Sequence, residues 1–206
     1  YIGSRPGDFF WYARDAITSA YGALFRGAVF NTNAESFETQ IRPLTETLKF
    51  AAPLILAGLG VGLAFRAGLF NIGGRGQMLL AGAAAGWVAV GVDLPAIIHL
   101  PLAIVVGALA GALWAGLAGL LKATSGAHEV IVTIMLNYVA FYLISFLLKT
   151  PGALQAPGSN SPKSPPALES AIYPTLSDLL GVGSFRLHLG FIFAILATIW
   201  VWYLFN

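Results

Sequence analysis

Few side chains in this sequence are arranged to do chemistry. His128-Glu129 opens like a helical zinc-protease motif, but position 132 is Val where the second metal-binding histidine must stand. Gly58, Gly60 and Gly62 are spaced like the start of a dinucleotide fingerprint, yet position 63 is Leu and no strand precedes it. There is no Gly-Lys-Ser/Thr phosphate loop, so the chain does not bind ATP in that way. Ser125 and His128 lie close together at the edge of an apolar segment, without an acid of evident orienting geometry. The absence of Cys excludes disulfides, thiolate metal sites and cysteine nucleophiles. The expectation is a chain that is not an enzyme and holds neither metal nor cofactor.

Two segments remain informative. Gly68-Leu-Phe-Asn-Ile-Gly-Gly-Arg-Gly-Gln77 holds four Gly in ten residues, while Leu69, Phe70 and Ile72 are too apolar for an ordinary exposed turn. One reading is non-helical backbone that dips toward a membrane. Such backbone is tolerated only when buried in protein or lining a wet cavity, where its amides contact a polar solute. The other reading is a tight cytoplasmic turn. In His128-Glu-Val-Ile-Val-Thr-Ile-Met-Leu-Asn-Tyr-Val-Ala140, the residues Glu129, Thr133 and Asn137 are four apart and share a helix face. Tyr138, Tyr142 and Ser145 form a neighbouring polar stripe. Inside a membrane such groups face protein or a water-filled path, because lipid offers no hydrogen-bond partner. They serve either as a solute contact or as glue between helices. The candidate path residues are Phe70, Asn71, Gln77, Thr133, Asn137 and Tyr138.

The elements that must carry these residues follow from composition. The 206 residues are 57% hydrophobic and only 10% charged, against about 25% charged in soluble domains. Lipid is the expected solvent. The net charge of +2 without a basic run gives no support to nucleic-acid binding. Five apolar segments stand out, at about 47–65, 77–92, 101–121, 130–148 and 187–205. About 20 helical residues cross a bilayer. The expected fold is therefore an all-α polytopic transmembrane bundle with a Gly-rich, partly unwound segment between helices. The second apolar segment is short: it is either tilted and extended by its flanks, or a partial helix beginning within the membrane.

Gly107, Gly111, Ala115 and Gly119 recur every four residues, and Gly82 with Gly86, and Gly58 with Gly62, repeat the spacing. Small residues on one helix face let a neighbouring backbone approach, so Gly82, Gly86, Gly107, Gly111 and Gly119 are expected to pack helices. Residues 1–46 carry most of the acids. Within them, 9–23 reads as an amphipathic interfacial helix capped by Asp8, with Phe9, Phe10, Trp11 and Tyr12 at headgroup level. Residues 149–186, rich in Pro, read as an extramembrane loop with a short helix around 175–180. Arg66, Arg75 and Lys122 in short loops place those loops inside the cell. Asp93, the Pro-rich loop and residues 1–46 then lie outside. The chain begins at Tyr1 and stops directly after an apolar run, and it reads as a fragment cut at both ends.

Phe70-Asn-Ile-Gly-Gly-Arg-Gly-Gln77 and His128-Glu-Val-Ile-Val-Thr-Ile-Met-Leu-Asn-Tyr138 resemble the hallmark stretches of permease subunits in bacterial ABC importers. The nearest group is the nucleoside and simple-sugar branch, related to ribose and branched-chain amino-acid permeases. The resemblance covers most of the chain from Thr47 onward. It implies a partial permease domain over 47–206 in the bacterial plasma membrane. It also implies a second permease subunit, cytoplasmic ATPase subunits that hold the ATP, and an extracytoplasmic substrate-binding protein. A first span and a cytoplasmic coupling segment would lie outside the fragment. Position 75 is Arg where related sequences often carry an acid. Other readings are a permease for branched-chain amino acids or another small polar solute, a secondary transporter or channel without an ATPase, and a membrane scaffold. The third and fourth segments lack mid-span charges for ion coupling, which favours an external energy source.

Overall fold

The computed structural model describes residues 6–175, 177–178, 181 and 187–206. It divides into two compact units, Tyr1–Leu56 with Pro174–Asn206, and Ala57–Tyr173. The described residues are helical apart from turns and one isolated bridge between Thr175 and His188. The helices are α1 (Pro6–Ala28), α2 (Phe37–Arg66), α3 (Gly74–Gly91), α4 (Ala96–Ser125), α5 (Glu129–Lys149) and α6 (Gly190–Phe205), with a 3₁₀ turn at Glu169–Ala171.

In the first unit, α1 is longer than the expected 9–23 and starts at Pro6. Asp8 therefore lies inside the helix and is not its cap. Proline suits a first helical position because its φ is preset and it has no N–H to satisfy. Phe9, Trp11, Tyr12, Ile17, Tyr21 and Leu24 are all exposed along it. Its end is tied to α2, where the Thr47 hydroxyl donates to the Ala28 carbonyl at 2.6 Å. Helix α2 begins at Phe37, ahead of the apolar stretch expected from 47. The Ser36 hydroxyl accepts from the Thr39 N–H at 3.4 Å and caps the start. Hydropathy marks where the helix turns apolar, whereas the cap marks where it begins. Pro43 and Pro53 sit inside α2, each removing one backbone hydrogen bond. The helix expected around 175–180 includes Leu176, Leu179 and Leu180, which lie outside the described residues, as does Arg186. Nearby, the Asp178 carboxylate accepts from the Thr175 N–H at 2.8 Å and hydroxyl at 2.7 Å. Those two bonds hold it below the usual carboxylate range.

In the second unit, α3 and α4 pack antiparallel at very short range. A Cβ on Gly107 would lie 3.0 Å from the Ala81 carbonyl oxygen, and one on Gly111 would lie 3.3 Å from the Ala81 methyl. Gly82, Gly86 and Gly119 differ from expectation, because none has another side chain or backbone within 4 Å of a built Cβ. On α3 the face that meets α4 is Ala81 and Ala85, one residue out of register with the glycines. Gly119 lies beyond the start of α3 and borders a cavity instead. Helix α4 starts at Ala96, with Pro101 in its interior, and ends at Gly126, whose φ of 68° requires a residue without a side chain.

Among the described residues, three helices, α2, α4 and α5, are long and apolar enough to cross a bilayer. Only 6%, 17% and 11% of their most apolar stretches are buried, so their apolar side chains face outward. That is the opposite of a water-soluble core. Helix α3 has 18 residues and spends its first turn on Gly74, Arg75, Gly76 and Gln77, which leaves its apolar part short. Helix α6, with 16 described residues, is a shorter apolar helix.

Candidate functional site

The Gly-rich segment begins where α2 ends. Gly68, at φ 73°, closes the helix, with its N–H on the Phe65 carbonyl at 3.0 Å and the Leu69 N–H on the Ala64 carbonyl at 2.9 Å. This pair of bonds satisfies the last carbonyls of α2 and turns the chain out of the helix. Residues 69–72 then have no regular structure.

Two asparagines organise the backbone that follows. The Asn71 side-chain oxygen accepts from the Gly73 N–H at 2.8 Å and from the Gln77 side-chain amide at 3.1 Å. Asn137, from the middle of α5, reaches across with both ends of its amide. Its oxygen accepts from the Gly76 N–H at 2.7 Å, and its nitrogen donates to the Ile72 carbonyl at 3.1 Å. Gly76 lies in the first turn of α3, where N–H groups lack helical partners. Asn137 therefore supplies a cap from another helix. Asn71, Gln77 and Asn137 are thus brought together, with their amides directed at the segment's own groups.

Helix α5 approaches so closely that side chains are excluded. A Cβ on Gly76 would lie 3.2 Å from both the Asn137 Cα and the Leu136 carbonyl oxygen, and one on Gly73 would lie 3.2 Å from the Thr133 Cβ. Thr133 is buried and bonds only along its own helix, to the Val130 carbonyl at 3.2 Å. Glu129, one turn earlier, pairs with Lys122 at 2.9 Å across the turn from α4 to α5. Phe70 lines the same small cavity as this carboxylate. The expected face of Glu129, Thr133 and Asn137 thus meets the segment at Phe70, Gly73, and Ile72 with Gly76.

Two cavities flank this junction. One, of about 110 Å³, is lined by Phe70, Asn71, Gly119, Lys122, Glu129 and Thr133. The Phe70 ring there stands edge-on to Phe65 at 4.8 Å. The other, of about 240 Å³, is lined by Arg75, Ile134, Asn137, Tyr138, Phe141 and Tyr142. The Arg75 guanidinium lies 5.7 Å from the Phe141 ring centre, and Arg75 has no acidic partner among the described residues. Tyr138 and Tyr142 are both largely exposed. Phe70 and Tyr138 therefore border different cavities, and of the candidate path residues Asn71 and Thr133 share one with Phe70.

Sequence reasoning missed Arg75, Phe141 and Lys122 as members of these sites. The i, i+3, i+4 spacing of Tyr138, Phe141 and Tyr142 was a usable signal for the wall of the larger, 240 Å³ cavity. It also missed His99, which is fully buried. One His99 ring nitrogen is 2.7 Å from the Ser170 hydroxyl, and the other is 3.1 Å from the Val88 carbonyl, to which it donates. A lone histidine in an apolar helix was the available hint.

The sequence also matches known proteins. The family model described as branched-chain amino acid transport system / permease component matches residues 44–206. The chain is 39% identical to the guanosine ABC transporter permease protein NupP of Bacillus subtilis (strain 168), over 93% of this chain and 51% of the relative. It is 40% identical to the glucose ABC transporter permease protein TsgB13 of Haloferax volcanii, over 87% of this chain and 46% of the relative. It is 39% identical to the nucleoside ABC transporter permease protein NupB of Lactococcus lactis subsp. cremoris, over 52% of this chain and 30% of the relative. The chain spans about half the length of the first two of these relatives. No solved structure matches it.

Proposed function

The chain belongs to the family of branched-chain amino acid transport system permease components and is a membrane protein, and from that premise we propose that it forms part of the translocation path of an ABC importer for nucleosides or simple sugars. The observation that carries this reading is the non-helical segment between two apolar helices, held open by Asn137. Unwound backbone at membrane depth persists only where protein or a wet cavity meets its polar groups. Beside it stands a cavity with a guanidinium, two phenols and an aromatic ring. Such a surface stacks on flat rings and hydrogen-bonds hydroxyl and carbonyl groups.

The path residues divide by role. Asn71, Gln77 and Asn137 hold the segment in shape, Thr133 packs against Gly73, and Phe70 and Tyr138 line the cavities on either side. Arg66, Arg75 and Lys122 lie on the cytoplasmic side, while residues 1–46 and the Pro-rich 149–186 face outside. The protein is a multi-pass component of the bacterial plasma membrane. Its partners are a second permease subunit, ATPase subunits that bind ATP, and an extracytoplasmic substrate-binding protein. Helix α4 carries Lys122 as its lone charge, paired with Glu129. Helix α5 likewise has no carboxylate or ammonium group between Glu129 and Lys149, so neither helix carries a mid-span acid or lysine to couple an ion gradient, which supports ATP as the energy source.

The test is uptake of labelled guanosine and glucose by membrane vesicles holding the complete transporter. ATP-dependent uptake of at least one, competed by unlabelled solute, is expected. Uptake that proceeds without ATP, or no uptake of either class, overturns the reading.

A further inference from the structure

The second unit holds a third and much larger hollow, of about 1180 Å³, between α3 and the residues 151–165. We propose that it is an outer binding site for an uncharged, polyhydroxylated ring compound, with Trp87 as its stacking plate. The proposal rests on the importer reading and adds a place where solute stops before the inner path.

The floor is α3. Gly82 and Gly86 have no neighbour within 4 Å of a built Cβ, so bare backbone lies open beside Trp87. The indole of Trp87 is 59% exposed and borders the hollow. The roof is a built structure. Leu154 N–H returns to the Leu147 carbonyl at 3.2 Å, and Ala156 N–H bonds the Lys163 carbonyl at 2.9 Å. The Gln155 amide closes the turn on the Ser159 carbonyl at 2.7 Å. Farther along, the Leu168 N–H bonds the Ala89 carbonyl at 2.9 Å, and buried His99 holds Ser170. The roof is thus fastened to the same helix that makes the floor.

The lining chemistry selects the ligand. Among the described residues, Lys149 is the sole charged one along the hollow and no carboxylate lines it, so a cation finds no counter-charge. The side chains of Asn160 and Ser164 offer an amide and a hydroxyl, both able to donate and accept. An aromatic plate opposite neutral donors and acceptors matches a ring with an apolar face and a rim of hydroxyls. The hollow is at the large end for small-molecule sites, typically about 300–1,000 Å³, which leaves room for solute and its water. A lipid tail or an apolar helix would press Asn160, Ser164 and Lys149 against hydrocarbon without partners.

The experiment uses the complete transporter in vesicles, with whichever of guanosine and glucose the wild type takes up. Trp87→Ala is expected to raise the half-saturating concentration about tenfold, the scale of one lost stacking contact, with maximal uptake retained. Trp87→Phe should restore near-wild-type saturation. In parallel, Ser164→Cys is labelled from outside by a membrane-impermeant maleimide, and solute should slow the labelling. Several results overturn the outer site: an unchanged half-saturating concentration, labelling indifferent to solute, or a thiol never labelled because a helix or lipid fills the hollow. A wild type that takes up neither solute is a different failure, which sinks the importer reading itself.

Discussion

Asn137 shows how one side chain makes an unwound segment affordable in an apolar setting. Its amide is bifunctional, and both functions are engaged, one by the Gly76 N–H and one by the Ile72 carbonyl. Asn137→Leu leaves two backbone groups unpaired at once. Each such group costs about 1–3 kcal/mol, so a thermal unfolding scan in detergent should show a loss on the order of 2–6 kcal/mol, with uptake reduced as well. Uptake lost at unchanged stability would instead assign Asn137 to solute contact. The sequence placed Glu129, Thr133 and Asn137 on one face correctly, because helical periodicity depends only on position. It could not tell a clamp from a solute contact, since an amide offers the same donor and acceptor to a ligand as to a backbone. The pairing of Asn71 with Gln77 was hidden for the same reason.

At the level of helices, the close contact of α3 with α4 depends on which small residues face each other. The four-residue spacing named Gly107 and Gly111 on α4, and the structure has both against Ala81. It also named Gly82 and Gly86 on α3, which face open space. Sequence reveals that two small-residue stripes exist, but not which of two adjacent stripes turns toward the neighbour. The contrast is measurable. Gly107→Leu should force α3 and α4 apart, since a Cβ alone would sit 3.0 Å from the Ala81 carbonyl oxygen. Its unfolding midpoint should fall by an amount equivalent to about 1–3 kcal/mol or more. Gly82→Ala should be neutral or stabilising by up to about 1 kcal/mol, from helix propensity. Equal effects of the two substitutions would contradict the observed register. Helix ends were less legible than helix existence: α2 begins at its Ser36 cap and α1 at Pro6, features of a few residues that an apolar average does not register.

For the molecule as a whole, the apolar content announced a membrane protein, and the family match agrees. The order within the long polar segment was not announced. Its anchor, His99 to Ser170, joins residues 71 positions apart, and no local pattern encodes such a pair. His99→Ala should release the segment around Leu168 and Ser170 while the helices persist. Hydrogen exchange over 165–173 should quicken markedly, with circular dichroism unchanged. Exchange at the wild-type rate would mean that the segment is held by other contacts.

The bond from Asn137 to Gly76 joins the waist of one helix to the mouth of another, and its mate at Ile72 grips the bend between them. Two hydrogen bonds from one amide thus link the three parts. If α5 rolls about its axis during a transport cycle, the bend and the first turn of α3 roll with it. Arg75 and the phenols of Tyr138 and Tyr142 then move together with that bend.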